Sequence, residues 1–135
     1  MPPLSIWTLR LALVYLGLGF TAGALALINK GIVLSPWIFH AMPLHRDLMI
    51  YGWTLHLIVG VAYWILPTFG SRKNRGREGF ALASVIQLSA ATIIGSFAAL
   101  PATPPVFATV AAVLAATGVL SFAVHLWPRV KAFGG

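Results

Sequence analysis

Four long runs of apolar residues dominate the chain, separated by short breaks that are polar or rich in proline. The first runs from about Ile6 to Ile28 and stops at Asn29-Lys30-Gly31, a polar turn and a glycine of the kind that end helices. The second covers about Leu44 to Leu66 and ends before Pro67. The third takes about Phe80 to Leu100, Pro101-Ala-Thr-Pro-Pro105 reads as a tight hairpin, and the fourth takes about Val106 to Trp127. A helix needs roughly 20 apolar residues to cross the hydrocarbon of a bilayer. The pattern therefore predicts an all-α fold, one transmembrane bundle of four helices over residues 1–135, with no room for a separate soluble domain. Between the first two runs, Ile32 to Leu44 holds Pro36 and Pro43 among aromatic residues and reads as a short re-entrant or interfacial connection, with Trp37 and Phe39 at headgroup level.

Composition supports the same solvent. Of the residues, 59% are hydrophobic and 8% charged, with a mean hydropathy of +0.91; soluble domains carry about 25% charged residues. The first run reaches spanning length without a small-residue cleavage site, so it reads as a span rather than a signal peptide. The net charge of +7 does not point to nucleic acid, because seven of the nine basic residues flank helix ends on one side. Arg10, Arg72, Lys73, Arg75, Arg77, Arg129 and Lys131 form that set, whereas Lys30 and Arg46 lie on the other side. By the positive-inside rule both termini and the central loop are cytoplasmic, in what the alanine- and arginine-rich composition suggests is a bacterial cytoplasmic membrane. The absence of cysteine excludes disulfides, thiolate-bound zinc, iron–sulfur clusters and covalently attached c-type haem.

Ala83, Ala91, Gly95 and Ala99 on the third run, and Ala108, Ala112 and Ala116 on the fourth, predict helix faces that approach closely in lipid.

Ionisable groups in hydrocarbon usually face a bundle interior or a ligand. All four histidines, His40, His45, His56 and His125, lie within or beside the predicted spans, and Asp47 joins them at the outer end of the second. At about 100° per residue, His45 and His56 fall within roughly 20° of each other on a helix, with Met49 and Gly52 on the same stripe. Their axial separation of roughly 16 Å rules out a shared metal ion. A haem on His45 with its ring passing over Gly52 fits this stripe, since glycine lets a flat ring approach the backbone. His56 has the alternative of an interhelical hydrogen bond. His40, in the aromatic loop, is either a second ligand at the depth of His45 or a surface residue. His125 belongs to the opposite membrane face and reads as interfacial. Tyr51, Trp53, Tyr63 and Trp64 are candidates to line the ring, or plain packing residues.

The stretch His-Arg-Asp-Leu-Met-Ile-Tyr-Gly-Trp-Thr-Leu-His-Leu-Ile-Val-Gly-Val-Ala-Tyr-Trp-Ile-Leu-Pro, His45 to Pro67, resembles the second transmembrane helix of subunit I of haem-copper oxidases and the related nitric oxide reductases. Met49, Gly60, Trp64 and Pro67 take part in the resemblance, and Leu11 to Ala26 echoes the first helix more weakly. The resemblance implies that His45 ligates a low-spin haem b at the outer face. Subunit I of that family has twelve helices in three four-helix arcs, whereas this chain has four and lacks a His-His or His-x-His copper motif. The expectation is thus a haem-binding electron carrier or module of a respiratory membrane, exchanging electrons with a redox partner, rather than a self-sufficient oxidase. A homo-oligomer, trimer or dimer, would complete the coordination with His40 or a second His45 from a neighbour. The alternatives are a cofactor-free accessory subunit of a respiratory complex and a haem-, gas- or copper-handling protein, the last with His40, Met42, His45 and Met49 as ligands; copper is the less favoured metal.

Single cysteines introduced at Ser71 and Thr103 should label from opposite faces of sealed membranes, Thr103 from outside. Labelling of both from the same side would overturn the assigned orientation.

Overall fold

The computed structural model describes residues 1–69 and 74–130, apart from the side chain of His40. The predicted cytoplasmic charges Arg72, Lys73 and Lys131 lie outside the described residues. Four helical stretches are long and apolar enough to cross a membrane: Pro3–Gly31, Pro36–Ile65, Glu78–Ala98 and Val106–Arg129. Their burial is inverted relative to a water-soluble protein. Leu13, Leu18, Phe20, Leu27, Ile86, Phe97, Val113 and Leu120 point outward, while Ser5, Thr8, Asn29, Asp47, His56, Ser84, Thr92, His125 and Arg129 are enclosed. Apolar tails accept an exposed leucine as readily as a buried one, whereas polar groups at that depth gain from being enclosed with partners.

Helix α1 (Pro3–Gly31) begins with proline, whose missing N–H is an orphan at a helix start. At its other end the Asn29 side-chain oxygen accepts from the backbone N–H groups of Leu34 and Ser35, at 2.9 and 3.0 Å, and so ties the turn into the second span. That span starts earlier than the sequence pattern implies. Pro36–His40 forms a 3₁₀ turn with the Ser35 hydroxyl as its cap, and α2 (Ala41–Asp47) follows directly. Pro43 fits because it lies in the first turn of α2, where backbone N–H groups lack intrahelical partners. The supposed connection is therefore the entrance of the second span, with Trp37 and Phe39 exposed along it.

After α2 the chain winds as a π-helix over Leu48–Leu55 and returns to α geometry in α3 (His56–Ile65). The wider i→i+5 turns break the 100° count between His45 and His56, so the single stripe inferred from spacing does not hold.

Helices α4 (Glu78–Ala98) and α5 (Val106–Leu126) form a hairpin whose turn passes through Ala102 at φ 69°. The second span lies between α1 and α4, and α5 packs chiefly on α4. The small residues of α5 turned inward are Ala111, Ala115 and Gly118, opposite Ala91 and Gly95 of α4. Ala108, Ala112 and Ala116, the stripe expected there, are exposed, because an alanine-rich helix offers two adjacent small-residue stripes and spacing alone does not choose between them. Val59, Tyr63, Ala81, Leu88 and Phe122 make up the apolar core between α3, α4 and α5.

At the end of the bundle where α1 starts and the last span finishes, Arg129 binds the fourth span to the second. It follows α5 in a short 3₁₀ turn, Trp127–Arg129, and is 1% exposed. Its Nε donates to the Pro67 carbonyl at 2.9 Å, and Nη2 donates to those of Tyr63 and Leu66 at 3.2 and 2.7 Å. Nη1 donates to His125 Nε2 at 2.9 Å. Arg129 thereby caps the C-terminal carbonyls of α3, which proline at position 67 and the end of the helix leave unpaired. Arg75 adds a further bond to the Tyr63 carbonyl at 2.7 Å and lies over the Tyr63 ring.

Replacing Arg129 with alanine strands several buried acceptors and should lower the unfolding free energy by about 3 kcal/mol or more. Arg129→Lys should recover only part of this, because an ammonium lacks the planar fork. Denaturant-induced unfolding in a mild detergent, followed by tryptophan fluorescence, measures both; an unchanged midpoint for Arg129→Ala would contradict the capping role.

Candidate functional site

Three histidines have described side chains, and each places Nδ1 against a backbone carbonyl: His45 with Gly19 at 2.7 Å, His56 with Tyr51 at 2.8 Å and His125 with Arg77 at 3.0 Å. A carbonyl oxygen only accepts, so in every case Nδ1 carries the proton and Nε2 presents a lone pair when the ring is neutral. The three sites differ in what that lone pair meets.

At His125 it meets the Arg129 guanidinium, and the ring stacks on Tyr63 and Phe122 with centroids 5.4 and 6.0 Å apart. This histidine belongs to the structural cluster around Arg129. His56 is fully enclosed, its Nε2 3.0 Å from the Ser89 hydroxyl of α4 and its ring 5.3 Å from that of Tyr15 on α1. Both nitrogens are engaged, so His56 joins three helices at mid-span and leaves no free electron pair for a ligand. Gly52 serves the same junction. A Cβ there would lie 2.8 Å from Tyr15 Cγ and 3.1 Å from Thr92 Cγ2. The flank of Gly52 that spacing assigned to a macrocycle is filled by Tyr15, because the interior of a four-helix unit closes on its small residues.

His45 is different. It sits on α2 near the end of the bundle that carries the two turns, half-buried, and its Nε2 has no hydrogen-bond partner among the described residues. The ring borders a groove of about 650 Å³ between α1 and the entrance of the second span. Phe20, Gly23, Leu27 and Lys30 of α1, with Phe39 and Met42 beside His45, line it. That volume lies within the roughly 300–1,000 Å³ typical of small-molecule sites.

Two glycines on α1 bring the ring to this position. A Cβ on Gly23 would stand 2.7 Å from His45 Cε1, and one on Gly19 would stand 2.7 Å from Met49 Sδ. With side chains at both, α2 could not press close enough for His45 to reach the Gly19 carbonyl. That carbonyl, together with Gly23, Phe20 and Lys30, is what sequence reasoning missed, although Gly19-Phe-Thr-Ala-Gly23 carries the four-residue glycine spacing of close helix contacts.

The remaining candidates divide accordingly. Met49 packs against α1 at Gly19, and Met42 borders the groove beside His45. Trp53 is half-buried on the π-helix, and Asp47 pairs with Arg46 at 2.9 Å against Gly95 of α4. His40 ends the 3₁₀ turn, and its side chain lies outside the description. Among the described residues no three histidine or carboxylate side chains cluster as a metal site would. The groove offers one imidazole with its far nitrogen fixed by a carbonyl, apolar walls and a single lysine at the rim, a set compatible with haem, which His45 would hold.

Nitrogen-15 NMR of protein labelled at histidine should show the Nδ1–H form for His45, His56 and His125 in the neutral state. Gly23→Ala should perturb the His45 signals selectively, since the added methyl displaces that ring; a signal pattern unchanged by Gly23→Ala would place His45 elsewhere. Compared with protein-family models, with curated proteins and with solved structures, the chain has no match.

Proposed function

We propose that the chain is a b-type haem protein of an energy-transducing membrane, with His45 as axial ligand and electron transfer as its role. The observation that supports this most is the contrast among the histidines: only His45, of the three described, combines an anchored Nδ1–H with an unengaged Nε2 beside a ligand-sized groove. The likeness of His45 to Pro67 to the second helix of the haem-copper oxidase superfamily points to the same residue. Bound haem supplies one-electron exchange. The chain's own residues do the rest: the Gly19 carbonyl orients the imidazole, and Phe20, Leu27 and Phe39 give the groove apolar walls.

A second protein ligand would have to come from outside the described residues of this chain, because Met42 is only one turn from His45 on the same helix. His56 is enclosed and His125 lies at the opposite end. A neighbouring copy related by an axis along the membrane normal presents its outer-face side chains at the same depth, which favours a trimer or dimer with haem at the boundary.

Purified protein should show the paired visible bands of a reduced low-spin haem. His45→Ala should abolish or shift them, whereas His56→Leu and His125→Ala should leave most of the spectrum while costing stability. Native mass spectrometry should find two or three chains with haem. A colourless protein after reconstitution with haem favours the accessory-subunit reading; a shift on adding carbon monoxide reveals an open second face; and a haem-loaded monomer removes the boundary arrangement.

A further inference from the structure

Two basic residues belong to the turn-bearing end of the bundle, and their situations differ. Arg46 is paired with Asp47 at 2.9 Å, on the side of the second span that faces α4. Lys30 lines the His45 groove and has no ion-pair partner among the described residues. It is also the only charged side chain among the groove's lining residues.

Position along α1 makes this charge relevant to whatever His45 binds. Lys30 follows Gly23 by seven residues, two turns of helix, so it lies on the same stripe and roughly 10 Å further toward the end of α1. The groove thus offers an imidazole lone pair over a glycine floor, apolar walls of Phe20 and Leu27, and a single cation at its outer rim. A ligand matching this order is flat and apolar at one end, with anionic groups an arm's length from its centre. Lysine carries its ammonium on a long flexible stem, which can follow such a group to the headgroup layer.

We infer that Lys30 is the anchor for the propionate carboxylates of haem, so that the groove binds the macrocycle in one orientation, with its carboxylates at the turn-bearing end of the bundle. This rests on the assignment of haem to His45. Placed at the interface, where the field of a charge is only partly screened, one such pair is worth a modest factor in affinity rather than an absolute requirement.

The test compares haem b with its dimethyl ester, which keeps the ring and iron but has no negative charge on its arms. Both are titrated by absorbance into the full chain in an uncharged detergent, with His45→Ala giving the background partition into micelles. The wild type should bind haem roughly fivefold more tightly than the ester, the magnitude of one partly screened ion pair. Lys30→Gln should bring the two affinities together by weakening haem alone, Lys30→Arg should restore the preference, and raised salt should reduce it. Equal affinity of the wild type for both compounds overturns the anchor and leaves His45 as ligand untouched. Loss of both compounds to the same extent in Lys30→Gln also overturns it, as a structural effect. Binding of neither compound above the His45→Ala background refutes the haem assignment itself and the anchor with it. The wild-type preference between the two compounds does not depend on the Lys30 variants folding, and protein-free micelles give a second measure of the background.

Discussion

Every polar group enclosed by these helices has to find its partner within the chain, because hydrocarbon offers none. Most of the structure follows from how that requirement is met. Thr8, Thr92 and Ser96 turn their hydroxyls back onto carbonyls of their own helices. Asn29 closes the first turn, His56 joins three helices, and Arg129 takes up the carbonyls at the end of α3. Among the described residues the buried side-chain atoms left without partners are the Ser5 and Ser84 hydroxyls and the Asn29 amide nitrogen. Against this background the His45 Nε2, without a partner among the described residues and beside a groove, sets this histidine apart from His56 and His125.

The spans were legible in the sequence because solvent choice is written in composition: long apolar runs broken by Asn29-Lys30-Gly31, Pro67 and Pro101 have few other folds open to them. The entrance of the second span was not, since Pro36 and Pro43 look like breakers until it is known that each occupies a first turn. His45 could be singled out from spacing and from its neighbours, and His56 could be given its interhelical alternative, but only packing shows which nitrogen of which ring is already bonded. The inner face of α5 was misassigned for a related reason. Ala108-Ala112-Ala116 and Ala111-Ala115-Gly118 are indistinguishable to a periodicity argument, and the difference arises from contacts with α4.

The two ends of the bundle are built for different purposes. At the end where α1 starts, Tyr63, Arg75, His125 and Arg129 are tied to one another through bonds and stacked rings. At the other end, α1 and α2 meet through glycines and leave a groove between them, with a cation at its rim and a carboxylate, Asp47, turned the other way toward α4. One end of this small bundle is thus closed by polar contacts, while the other keeps a groove between its helices.

The π-helix between Leu48 and Leu55 links these two ends. Its wide turns amount to surplus backbone wound into a helix that would otherwise be α throughout. Were one residue in it lost through a deletion in the coding sequence, the segment could relax to ordinary winding with its hydrogen bonds intact and its length across the bilayer barely altered. Because the wide turns absorb the extra residue, the His45 and His56 sides would keep nearly their present orientation towards each other. The same loss from an ordinary α-helical stretch, which has no surplus to draw on, would turn one flank against the other by about 100°. The π segment thus tolerates the loss of a codon that would swing a side chain to another face of the bundle if it fell in α1 or α4.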